Sequence, residues 1–191
     1  MKKLLFFLLI LVPCSVMAQD NDEESDSVRS NTKYGVMFLQ KGIFFKFEDF
    51  KTNKYTYIVE NDFLKIRASI RKFYGVSKNS YFLKLRIGNT SVFIEYSDLL
   101  EINKAIKKLK SEIENDCLKK PEYIENKFIT NDDFEIGYWV KKKFGNYTPT
   151  WFFNFDRSIY FEPFKNIDIG KVSKILQEKQ AEIEEMMAND K

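Results

Sequence analysis

The chain has 191 residues, 44% of them hydrophobic, enough to bury the core of one domain or of two small fused ones. It carries no histidine and only two cysteines, which removes Ser–His and Cys–His nucleophile pairs, most zinc sites and the usual general base near neutral pH. With 31 Lys and Arg against 28 Asp and Glu, the formal net charge of +3 is mildly basic and well short of a nucleic-acid-binding tail.

Residues 1–18 read as a cleaved secretory signal peptide. Lys2 and Lys3 form its basic start, Leu4 to Val12 its apolar run, and Val16-Met-Ala18 leads to a cut after Ala18. The run is shorter than the roughly 20 residues a membrane span needs, so no transmembrane segment is expected in the mature chain. This places the protein in the periplasm or outside the cell. Leu11-Val-Pro-Cys14 loosely resembles a bacterial lipobox and gives lipid anchoring at Cys14 as the alternative, although Pro13 stands where that box takes a small residue. Residues 19–32 follow as an acidic, Ser-containing leader with Asp20, Asp22, Glu23, Glu24 and Asp26, expected to be disordered. Without signal and leader the body stands at about +6. Only Cys117 remains in the mature chain, so no intramolecular disulfide can form. With no histidine beside it, that thiol reads as a packing residue.

Tyr34 to Leu39 and Ile43 to Phe50, separated by Lys41-Gly42, predict an N-terminal β-hairpin. Tyr55 to Val59 predicts a strand. Phe63 to Phe73 predicts a longer one in which Leu64, Ile66, Ala68 and Ile70 face one way and Lys65, Arg67, Ser69 and Arg71 the other. Tyr81 to Ile87 points Leu83, Leu85 and Ile87 inward and Phe82, Lys84 and Arg86 outward, and Ser91 to Tyr96 returns over Gly88-Asn89. A helix follows. Asp98 and Glu101 have capping-box spacing, and Leu99, Ile102, Ile106, Leu109 and Ile113 form one apolar stripe. Beyond the linker Asn115 to Pro121, Glu122 to Thr130 is a strand, and Phe134, Ile136, Tyr138 and Val140 alternate along the next. Trp151 to Phe155 and Ser158 to Phe161 pair over Asp156-Arg157. A last helix runs from about Ile169 to Met187, with Val172, Ile175, Leu176 and Ile183 on one side.

The second series repeats the first. Ser91-Val-Phe-Ile-Glu95 falls on Ser158-Ile-Tyr-Phe-Glu162, and Ile102, Lys104, Lys107 and Leu109 on Ile169, Lys171, Lys174 and Leu176, at a constant offset of 67. Upstream, Asn61-Asp62 matches Asn131-Asp132 and Tyr81-Phe82 matches Trp151-Phe152 at an offset of 70. The expected fold is therefore α+β: a tandem duplication of a four-stranded antiparallel sheet plus one helix, with the extra N-terminal hairpin. The first repeat with its hairpin spans 33–118 and the second 119–191. Each sheet is expected to be covered on one face by its own helix.

No Gly-rich phosphate loop or Cys cluster occurs, so no cofactor and no metal are expected. Carboxylates remain as catalytic candidates, Glu95 with Glu162 or Asp132 with Asp133, but such residues at strand ends and turns are usually solvated or capping. A non-enzymatic protein is the expectation. The strongest positive feature is the outward face of the first sheet, where Lys65, Arg67, Arg71, Lys84 and Arg86 surround Phe82. The second repeat places Trp139, Lys141, Phe152 and Tyr160 at comparable positions. Basic residues interleaved with aromatics suit a ligand-binding face, set against an ordinary solvated face or burial of the aromatics. The reading is an exported binding or interaction module for an unknown protein, a glycan or a lipopolysaccharide of the cell envelope. Two tandem four-strand-plus-helix units over residues 54–187 also resemble the plan of the Whirly and Pur-type single-strand nucleic-acid binders. That resemblance is one of element order and transfers no functional residue. It implies single-stranded nucleic acid as an alternative partner, which export disfavours.

Overall fold

A computed structural model describes residues 46–50, 56–60, 65–75, 78–88, 90–131, 133–155 and 163–190. The expected signal peptide, the acidic leader, the first arm of the hairpin, Asp132 and the strand Ser158 to Phe161 with Tyr160 and Glu162 lie outside the described residues.

The protein is α+β, with two antiparallel sheets and two helices. The first sheet contains β1 (Phe47–Phe50), β2 (Thr56–Glu60), β3 (Lys65–Phe73), β4 (Ser80–Ile87) and β5 (Thr90–Glu95). Strand β3 is its organising element. One edge pairs with β2 along its first half and with β1 along its second, from Phe50↔Ile70 to Phe47↔Phe73. The other edge pairs with β4, and β4 with β5. The second sheet runs in the order β6 (Ile124–Ile129), β7 (Glu135–Lys143), β8 (Asn146–Asn154), β9 (Phe164–Lys165). Helix α1 is Tyr96–Leu118 and helix α2 is Ile169–Asn189.

The alternation that predicts the strands is the alternation that fills the core. Ile70 lies opposite Leu83 and Ala68 opposite Leu85, all buried. In the second sheet Ile136 faces Phe153 and Tyr138 faces Trp151 in the same way. The helix stripes are buried as spaced: Leu99, Ile102, Ile106 and Leu109 on α1, and Val172, Ile175, Leu176 and Ile183 on α2. All of these belong to one continuous cluster.

One local expectation changes. Helix α1 starts at Tyr96 with Glu95 as its N-cap and no side-chain cap bond, so Asp98 sits in the first turn, where its charge favours the helix dipole, and does not cap. The real side-chain cap is on α2, where Asp168 Oδ1 accepts from the backbone N–H groups of Gly170 (2.9 Å) and Lys171 (3.0 Å).

The larger change concerns the layers. Helix α1, which follows the first sheet, packs on β6, β7 and β8 of the second as well as on β4 and β5. Helix α2, which follows the second sheet, packs on β2 and β3 of the first and on α1. The copies do not each close under their own helix. A unit of about 60 residues buries only a marginal core alone, and sharing the helices merges two such cores into one. Polar contacts stitch the exchange. Tyr138 donates to Asp116 Oδ2 of α1 at 2.8 Å, and Lys119 holds the other carboxylate oxygen at 2.8 Å. Burial and then the hydrogen bond to Asp116 push the Tyr138 phenol up to about 12. Between the helices, Asn103 Nδ2 donates to Gln180 Oε1 at 2.8 Å.

Gly137 fixes how closely β6 can approach β7. A Cβ there would stand 2.4 Å from the Asn126 carbonyl oxygen and 2.6 Å from Lys127 Cβ, so backbone must move to admit one. Gly137→Ala is expected to cost about 1–3 kcal/mol in a urea melt. A cost near zero would mean that the strands separate freely at this point.

Candidate functional site

The register puts the expected first-sheet residues on one face. Arg71 lies opposite Phe82, Ser69 opposite Lys84 and Arg67 opposite Arg86. That face is nonetheless divided into two zones.

In the inner zone Phe82 is 0% exposed, Arg71 3% and Lys84 3%, so these three residues do not form an open platform. Strand β1 explains part of this. Its Asp49 lies opposite Arg71 and accepts from Arg71 Nε at 2.5 Å and Nη2 at 2.7 Å, and from Lys84 Nζ at 2.9 Å. The Arg71 guanidinium also lies near the rings of Phe47 (4.4 Å) and Phe93 (4.7 Å). Burial alone would raise the Asp49 carboxyl, but the hydrogen bonds and charges of Arg71 and Lys84 outweigh it and hold the group below its ordinary value.

The outer zone is more accessible. Lys65 is exposed, and Arg67 and Arg86 are half-buried. Lys65 Nζ and Arg67 Cζ lie 5.8 and 6.0 Å from the Tyr57 ring centre, and Arg86 Nε donates to the Gly88 carbonyl at 2.9 Å.

On the outward face of the second sheet, Trp139 is half-buried and stacks on the buried Phe152, with centroids 4.9 Å apart and planes 24° apart. Lys165 Nζ sits 5.9 Å from the Trp139 ring centre. Below them Lys127 joins Glu125 (2.7 Å) and Glu135 (3.5 Å).

The same two strands, β7 and β8, then reach the edge of the core, where the half-buried Tyr147, opposite Lys142, still packs against it. Val140 is buried, but Lys141, Lys142 and Lys143 are all exposed and make no ion pair among the described residues. The turn has two residues, with Lys143 opposite Asn146. Phe144 has φ 49° and Gly145 φ 87°, the positive pair a type I′ turn requires. Phe144 is 94% exposed, the most open of the large hydrophobic side chains among the described residues.

Sequence reasoning placed Lys141 on an outward face but missed its neighbours and Phe144. The signal was present as Lys141-Lys-Lys-Phe-Gly-Asn146, a basic run into a turn with an aromatic at a position that ordinarily takes Asn, Asp or Gly.

The remaining candidates are not assembled into a reacting group by the described residues. Glu95 is half-buried at the start of α1, and Asp133 is exposed with φ 61°. Burial and then the Asp116 charge push the Cys117 thiol up, the wrong direction for a nucleophile. No three metal-ligating side chains converge among the described residues. No described helix is long and apolar enough to cross a membrane. No protein-family model, curated protein or solved structure matches the chain.

Proposed function

We propose that the protein is an exported, non-enzymatic binding module for a polyanionic partner of the cell envelope, a surface glycan or lipopolysaccharide, and that the β7–β8 hairpin makes the contact. The observation that carries this reading is the run Lys141, Lys142 and Lys143, exposed and without an ion pair among the described residues. Such cations can meet a polyanion without first giving up a protein salt bridge, and their attraction is screened by salt. The absence of histidine from the chain supports binding over catalysis. Lys65, Arg67 and Arg86 add positive potential from the first sheet, though each already has a partner there.

The full chain should therefore be retained on a sulfated-polysaccharide matrix and released by salt. The variant Lys141→Gln with Lys142→Gln and Lys143→Gln should elute at clearly lower salt while remaining folded. Unchanged elution of the folded triple variant would overturn the reading.

Single-strand nucleic-acid binding is the second reading, favoured by one observation: the half-buried Trp139 stacked on Phe152 beneath Lys165. An aromatic with a cation on a sheet face can take a stacked base. Binding of oligothymidine at low salt, weakened by Trp139→Ala, would support it. No binding at low salt would remove it.

A further inference from the structure

The two copies carry the same short segment in opposite circumstances. At the offset of 70, Arg71-Lys-Phe-Tyr-Gly75 falls on Lys141-Lys-Lys-Phe-Gly145. In the first copy every polar member is tied down. Arg71 is held by Asp49, Lys72 Nζ meets Asp190 Oδ1 at 2.6 Å, and the Tyr74 hydroxyl donates to Glu48. In the second copy the cations are open and the aromatic stands at a turn.

The first copy's acidic partners come from β1, which pairs with the far half of β3, and from the end of α2, whereas β6 pairs with β7 only as far as Val140. The offset would carry the pair Ile70↔Leu83 onto Val140 and Phe153, but Val140 lies opposite Pro149. Both ladders reach the same position, Phe73↔Ser80 and Lys143↔Asn146, but the second closes over two residues, so its tip stands about 13 Å beyond Val140 at the usual rise per residue. A bulky non-glycine residue at positive φ is unfavourable, so Phe144 is not there for the sake of the turn. Other apolar surface gathers at the same end. Tyr123, 55% exposed, directly precedes Ile124, which pairs with Val140, and Leu118, 72% exposed, ends α1 next to Lys119 and Lys120. Glu122 is the acidic residue of that connection.

We infer that this end of the second sheet docks on an anionic phospholipid surface, with Phe144 entering the headgroup–acyl boundary and Lys141, Lys142 and Lys143 facing the lipid phosphates. The inference rests on the polyanion reading for the place of contact and takes an anionic phospholipid surface, in place of a glycan, as the polyanion. An exposed aromatic at the tip of a lysine-flanked hairpin fits a bilayer better than a glycan, because a glycan offers the ring no apolar phase. Reach and charge agree, since the tip projects past the core and each lysine near such a surface adds attraction.

The test uses the chain produced in an exporting host and floated with vesicles of phosphatidylcholine, with or without phosphatidylglycerol. Wild type should float with the anionic vesicles only. The Lys141→Gln, Lys142→Gln, Lys143→Gln variant should lose binding by about a hundredfold. Phe144→Asn should lose roughly tenfold while its melting temperature stays level or rises, because asparagine suits the turn. Phe144→Trp should retain binding and show emission quenched by brominated lipid. Equal flotation of Phe144→Asn and wild type, or an unquenched Phe144→Trp, would overturn the inference. Retention on sulfated polysaccharide without flotation would overturn it and leave the polyanion reading standing. Neither retention nor flotation would end both.

Discussion

Phe82→Ala is expected to lower the unfolding free energy by about 3–5 kcal/mol, the range for truncating a fully buried phenylalanine. The side chain is 0% exposed although strand parity points it away from the main core, opposite Arg71 on one neighbour and Glu95 on the other. Phe93, on the same face, is 1% exposed. An exposed stacking residue would behave differently. Its truncation would leave stability within a few tenths of a kcal/mol and act on binding alone. Urea melts of wild type and variant separate the two cases, and an unchanged midpoint would return Phe82 to the surface.

The second large effect is expected at Asp49. Its carboxylate serves Arg71 and Lys84, whose side chains are each only 4% exposed, while Asp49 itself is 32% exposed. Asp49→Ala removes the shared anion from two buried cations and should cost roughly 2–4 kcal/mol at neutral pH. The effect has a definite pH signature. The Asp49 carboxyl is held below its ordinary 3.8 in the folded protein. Its stabilising contribution is therefore fully present above that value and fades as pH falls through the lower folded one. The stability gap between wild type and Asp49→Ala should be constant from neutral pH down to about pH 5 and should shrink below pH 4. A gap that is absent at neutral pH, or that grows on acidification, would contradict the ion-pair assignment.

These two residues show where sequence reading stops. Alternation along Ile66, Ala68 and Ile70 gives the strand and its core face, because a period of two leaves no other way to bury that set. The stripes on α1 and α2 give the helices for the same reason. Nothing in a stripe says which sheet it will meet, so the exchange of helices between copies was not legible. Parity likewise assigns Phe82, Arg71 and Lys84 to the outward face without saying what lies over them. The carboxylate that neutralises two of these residues comes from β1, and the pairing of β1 with the far half of β3 is a long-range choice absent from local pattern. The hairpin tip is the converse case. Its lysines and Phe144 are visible in the sequence, and their meaning appears only when the fold leaves them exposed beyond the end of β6 while β1 and α2 hold the matching segment of the first copy. The duplication built one shared core, and the copies differ at this segment, where one is locked by acidic partners and the other is open.

On the proposed reading, polyanion binding sits on the β7–β8 hairpin and not on the first sheet. Two folded variants, compared side by side on the same sulfated-polysaccharide matrix, test it most directly. One carries Lys141→Gln, Lys142→Gln and Lys143→Gln; the other carries Arg67→Gln and Arg86→Gln. The hairpin variant should elute at far lower salt than wild type and the first-sheet variant close to wild type. Early elution of the first-sheet variant, with the hairpin variant retained like wild type, would contradict it.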